Sequence, residues 1–141
     1  GIQWQKRSMH DNLARMRAFL DRFQSGDWEG ACAEYCHPDF EIHEPPGLPQ
    51  SGVHRGQRAP IEVSDIYRGI WDVEIGEQSL WAARDADLVF SRYVMTWTSK
   101  ATGRTLTQPV VELNRFRDGK LAGMEVFMSD PIGLMATLEE G

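Results

Sequence analysis

The sequence predicts an α+β fold, a cone-shaped, curved antiparallel sheet with helices covering its concave face. Three observations predict it. As far as Trp71, apolar residues recur mainly at helical spacing. From there on the period changes to two. Tight turns then separate the strand-like segments. A curved sheet under a helical cover leaves a conical cavity between them.

Residues 9–23 read as an amphipathic helix, with Leu13, Met16, Leu20 and Phe23 on one face and Arg15, Arg17, Asp21 and Arg22 on others. Ser25-Gly26 ends it, and Asp27 is a good N-cap for a second, short helix carrying Trp28, Ala31, Cys32 and Tyr35. That helix is expected to stop at His37, because the residue before Pro38 disfavours helical backbone. Residues 40–44 form a strand, which Pro45-Pro46-Gly47 stops. Residues 45–58, with Pro, Gly and Ser throughout, read as one long loop. Pro60 opens a third helix bearing Ile61, Val63, Ile66, Tyr67 and Ile70, which ends near Trp71. Strands are expected at residues 80–83, 88–99, 105–116 and 121–128, with turns at 84–87, 101–103 and 117–119. Asp130-Pro131 caps a terminal helix through Leu138.

At 141 residues the chain is expected to form a single domain, 1–141, and 41% apolar content suffices for a core. The net charge of −6 argues against a nucleic-acid partner, since phosphate binding needs a basic face. No apolar run approaches the ~20 residues of a membrane span. The start shows no signal-peptide pattern, and Gly1 in place of Met is expected of a processed or tag-derived terminus. Cys32 and Cys36, four apart, are expected on one helix face as free buried thiols. No second ligand pair follows Cys36-His37, so no metal is expected. The lack of a disulfide framework points to a reducing, cytoplasmic compartment.

Two carboxylates stand out. Glu44 closes the strand Phe40-Glu41-Ile42-His43-Glu44 and shares a face with Phe40 and Ile42. Keeping a charge at the end of an apolar face is costly. Glu112 lies in Val110-Val111-Glu112-Leu113-Asn114, flanked by apolar residues and sharing its face with Val110 and Asn114. On the neighbouring strand Ser91, Tyr93, Met95 and Trp97 take one face, and the last strand offers Met124, Val126 and Met128. The opposite parity puts His43 toward the helix layer or a partner. His54 falls in the loop as a solvated side chain.

Gly26-Asp27-Trp28, Phe40 to Pro45, Gly52-Val53-His54-Arg55-Gly56 and Val111 to Leu121 together resemble the nuclear transport factor 2-like superfamily. Within it the chain is most similar to SnoaL-like and ketosteroid-isomerase-like proteins, and the resemblance covers nearly the whole chain in order. It implies an α+β barrel, usually dimeric through the outer sheet face. Val111, Leu113 and Phe127 would centre that homodimer. The resemblance also implies roles. Glu44 falls where the isomerases keep a proton-shuttling Asp, and Glu112 where they keep the protonated Asp of the oxyanion hole. Tyr67 and Tyr35 match supporting tyrosines. Phe19 stands in place of the central oxyanion-hole tyrosine, and Met128 in place of a pocket tryptophan, so steroid isomerisation itself is not implied.

Together these readings predict a cofactor-free acid–base enzyme for a small apolar carbonyl compound, of isomerase, polyketide cyclase or dehydratase type. No glycine-rich nucleotide loop or ligand cluster is present. Glu44, Glu112 and Tyr67 are the expected catalytic residues, both glutamates with raised pKa. Phe19, Tyr35, Tyr93, Met95, Trp97, Asn114 and Met128 are the expected substrate contacts. The alternative is a binding domain that holds an apolar ligand without chemistry. An epoxide hydrolase ranks below both, since no Asp occupies the inward face of the central strands.

Overall fold

The computed structural model describes the backbone of residues 2–140 and the side chains of residues 11–140. In chain order the elements are α1 (Ile2–Gln24), α2 (Trp28–Tyr35), β1 (Cys36–Glu44), β2 (Gly52–Arg55), α3 (Ala59–Arg68), β3 (Trp71–Ala82), β4 (Leu88–Ser99), β5 (Thr105–Arg117), β6 (Lys120–Met128) and α4 (Pro131–Ala136). The strands form one curved sheet in the order β2-β1-β6-β5-β4-β3. The α+β plan is therefore as the sequence predicts.

Local chemistry explains the boundaries. The Asp27 side chain accepts from the Gly30 N–H at 3.1 Å and so caps α2. Asp130 does the same for α4 through Gly133, and Pro60 sits in the first turn of α3. The β5–β6 turn places Asp118 and Gly119 at φ 53° and 74°, the left-handed pair that lets a two-residue hairpin follow the sheet's twist.

Four expectations need correction. Helix α2 ends at Tyr35, and Cys36 already has extended backbone, so the two cysteines do not share a helix. Both are buried and unbridged. The 45–58 segment is not all loop: β2 pairs antiparallel with β1, matching Ile42 with His54. His54 is thus half-buried, and its Nε2 bonds the Gln50 carbonyl oxygen at 2.7 Å. Strand β3 starts at Trp71 rather than residue 80. Lastly, the sheet is mixed, because β1 runs parallel to β6.

Register shifts interrupt three pairings, at Cys36/Glu41, Ile75/Gln78 and Arg115/Phe116. Such bulges bend strands and increase twist, which accounts for the curvature. At the second one, a Cβ on Gly76 would lie 3.2 Å from the Val94 carbonyl oxygen, tighter than ordinary contact. The core fills the concave side. Met16, Phe19 and Leu20 from α1, Cys32 from α2 and Ile61 and Val63 from α3 pack on Phe40, Val89, Tyr93, Trp97 and Leu121. Strand β4 alternates buried and half-buried residues almost without fault. Helix α4 closes the base, where the Trp71 indole N–H donates to Thr137 Oγ1 at 2.8 Å. Among the described residues no helix is long and apolar enough to cross a membrane.

Candidate active site

A cavity of about 110 Å³ opens between the helices and the concave face. Helices α1 and α3 supply Phe19, Phe23, Val63, Tyr67 and Arg68, and the sheet supplies Ile42, Tyr93, Met95, Trp97, Val110 and Met128. A ~150 Å³ apolar cavity accepts benzene, so this one suits a ligand of about that size. Two carboxyl groups face into it, Glu44 from β1 and Glu112 from β5. Strand parity puts them there: Phe40 and Ile42 on β1, and Val110 and Asn114 on β5, share their faces and are buried.

Their surroundings differ. Burial pushes the Glu44 carboxyl up to about 8, with the charge of Glu112 as the second cause. The Gln50 amide eases the charged form somewhat, but no hydrogen bond of normal geometry reaches Glu44 from a described side chain. Glu112 is also raised by burial, yet Tyr93 and Ser91 pull it back. The Ser91 hydroxyl donates to Glu112 Oε1 at 3.2 Å. Asn114 Nδ2 in turn donates to Ser91 Oγ at 3.0 Å and to the Val89 carbonyl at 2.9 Å. With Asn114 occupying an acceptor site of that hydroxyl, its proton is directed to Glu112. Burial raises both Tyr67 and Tyr93, so each is a neutral phenol at physiological pH.

Of the residues expected from sequence, Glu44, Glu112, Tyr67, Phe19, Tyr93, Met95, Trp97 and Met128 all line the cavity. Tyr35 and Asn114 do not. Tyr35 packs half-buried against the core at the end of α2. Asn114 shares the face of Glu112 but is wholly covered, and it acts beneath the cavity through Ser91. His43 has outward parity and bonds Glu41, which also pairs with Arg55. Sequence reasoning missed Arg68, Gln24, Gln50 and Ile75. A signal existed for Ile75, since Trp71, Val73 and Ile75 alternate with Asp72 and Glu74. Gln50, between Pro49 and Ser51, carries none. Among the described residues no three of His, Cys, Asp and Glu converge as metal ligands.

No curated protein matches the chain in sequence. Solved structures match it in fold. An NTF2-like protein from Burkholderia xenovorans LB400 superposes with TM-score 0.80 at 21% identity, covering 92% of this chain and 97% of the other. TerC, co-crystallized with polyporic acid, gives 0.77 at 22%, with 92% and 99% covered. A proposed polyketide cyclase from Xanthomonas campestris pv. campestris gives 0.76 at 16%, with 94% and 99% covered. The SnoaL-like domain family matches residues 16–124, which include α2, β1 through β5 and both cavity carboxylates. By that match, over most of its length, the chain belongs to the SnoaL-like domain family.

Proposed function

We propose that this SnoaL-like protein is a cofactor-independent acid–base enzyme acting on a small, largely apolar carbonyl compound, by isomerisation, cyclisation or dehydration. The observation that carries the reading is one apolar cavity holding two carboxyls in unequal surroundings. Glu112, which accepts from Ser91, ionises first, and its charge then holds the proton on Glu44. In this reading the pair shares one proton, and Glu44, pushed up to about 8, is the carboxyl that holds it. In an enolisation Glu112 takes the proton from the carbon beside the carbonyl, while Glu44 gives its proton to the carbonyl oxygen. This order exchanges the two roles that the resemblance implies. Tyr67 is a further neutral donor at the cavity wall, whereas Phe19 contributes no hydrogen bond.

Proton exchange at carbon tests the reading without the native substrate. A panel of small apolar ketones is held in D2O, and loss of the α-proton signal is followed by NMR. Glu44→Gln and Glu112→Gln are each expected to slow exchange roughly 100-fold or more. If both variants exchanged at the wild-type rate, the acid–base assignment would be wrong.

The predominantly apolar wall also favours a second reading, a binding domain without chemistry. The exchange measurement separates the two, since a cavity that only binds would leave the α-proton signal of every ketone at its uncatalysed rate. A homodimer through the outer sheet face completes the proposal. Val111 and Phe127 stand directly opposite across β5 and β6, and both are exposed, at 36% and 55%.

A further inference from the structure

Arg68 is the one basic side chain lining the cavity among the described residues. It ends α3, and three neighbours fix its guanidinium. Its Nε donates to Ser64 Oγ at 2.9 Å. Its guanidinium carbon lies 5.9 Å from the Trp28 ring centre and 5.8 Å from that of Tyr67. The Ser64 bond uses one of the five guanidinium N–H donors and leaves those of the Nη groups. Arg22, Arg55, Arg58, Arg115 and Arg117 each pair with a carboxylate. Arg68 forms no such pair with any described residue, although it is half-buried.

A half-buried cation without a counter-charge is costly to hold at an apolar wall. A chain of net charge −6 with two carboxyls in its cavity would also repel an incoming anion, unless a cation met it. We propose that Arg68 anchors an anionic group of the ligand, which is therefore an apolar organic acid, a carboxylate or an acid of similar strength. The planar guanidinium edge matches a carboxylate bidentately, a geometry a neutral ketone cannot use in full. The acid end would rest at α3, and the carbonyl to be enolised would reach Glu44 and Glu112. Only this last placement depends on the acid–base reading of the cavity.

A matched pair of probes tests the anchor. Cinnamate and benzalacetone share a phenyl ring and a vinyl group, and differ in ending as a carboxylate or a methyl ketone. Binding is read from tryptophan fluorescence at pH 7. Wild type is expected to prefer cinnamate. Arg68→Gln should weaken cinnamate roughly 10- to 100-fold and leave benzalacetone within about twofold. Arg68→Lys should recover part of the loss. Equal affinity of wild type for the two probes overturns the anchor. So does an Arg68→Gln variant that loses both or neither, or a wild type that fails to bind cinnamate at millimolar concentration. The measurement involves no turnover, so its outcome stands apart from the exchange rates of the Glu44 and Glu112 variants.

Discussion

Ser91 donates its hydroxyl proton to Glu112 across the β4–β5 pairing, where the two residues are direct register partners. Together with Tyr93, this bond makes the two cavity carboxyls unequal, because a hydrogen bond to the charged form favours ionisation. Ser91→Ala should raise the Glu112 pKa further, because one hydrogen bond to the charged form is lost. A 13C carboxyl titration by NMR reads it directly. If the Glu112 pKa stayed where it was, Ser91 would not set the ionisation order.

Glu44 makes stability depend on pH. Its folded pKa, about 8, lies above the ordinary 4.5, so the folded state binds more protons between those values. Stability is therefore full below about 4.5 and is lost as the pH rises toward 8. Glu112 adds a loss of the same sign. Thermal melts should show a falling Tm over that window in wild type and a flatter profile in Glu44→Gln. A variant with the wild-type slope would exclude Glu44 as its source.

The same proton sets an activity limit. Exchange by the wild type should decline as the pH passes about 8, where Glu44 loses its proton. A rate that keeps rising through pH 9 would instead mean that ionised Glu44 acts as the base.

At the base of the core, Thr137 accepts from the buried Trp71 indole and donates to the Leu134 carbonyl at 2.6 Å. Thr137→Val keeps the shape but strands the indole N–H. A cost of about 1–3 kcal/mol is expected by urea unfolding, and a neutral result would mean that another acceptor replaces the hydroxyl.

The outer face gives the last test. Phe127→Asp should shift a dimer toward monomer by sedimentation velocity, with dissociation at least roughly tenfold easier. A wild type that sediments as a monomer at high concentration would remove the proposed interface.

Much of the site was legible because a period of two fixes which face a side chain takes. Glu44 and Glu112 could be placed in one cavity from strands far apart in sequence, and β4 was bounded correctly by its flanking turns. Parity does not report depth. Asn114 lies on the right face but under the cavity floor, and Tyr35 sits where a helix gives way to a strand. Strand β2 was hidden by its length of four residues, by Gly52 as its first residue and by Gly56 just after it. Arg68 was not found because, beside Glu62 and Asp65, it looks like part of a solvated helix face. Only packing against Trp28 and Tyr67 turns it to the cavity wall.

The position of β6 has a consequence for how the site is made. It follows the other described strands in the chain, yet it lies between β1, which carries Glu44, and β5, which carries Glu112. The nascent chain can pair β3, β4 and β5 in sequence, but β1 has no seat in that sheet until β6 arrives. The two carboxyls are thus brought together only by the final, most sequence-distant pairing, a step burdened by loop-closure entropy. The electrostatic cost of crowding the two carboxyls falls on that pairing as well.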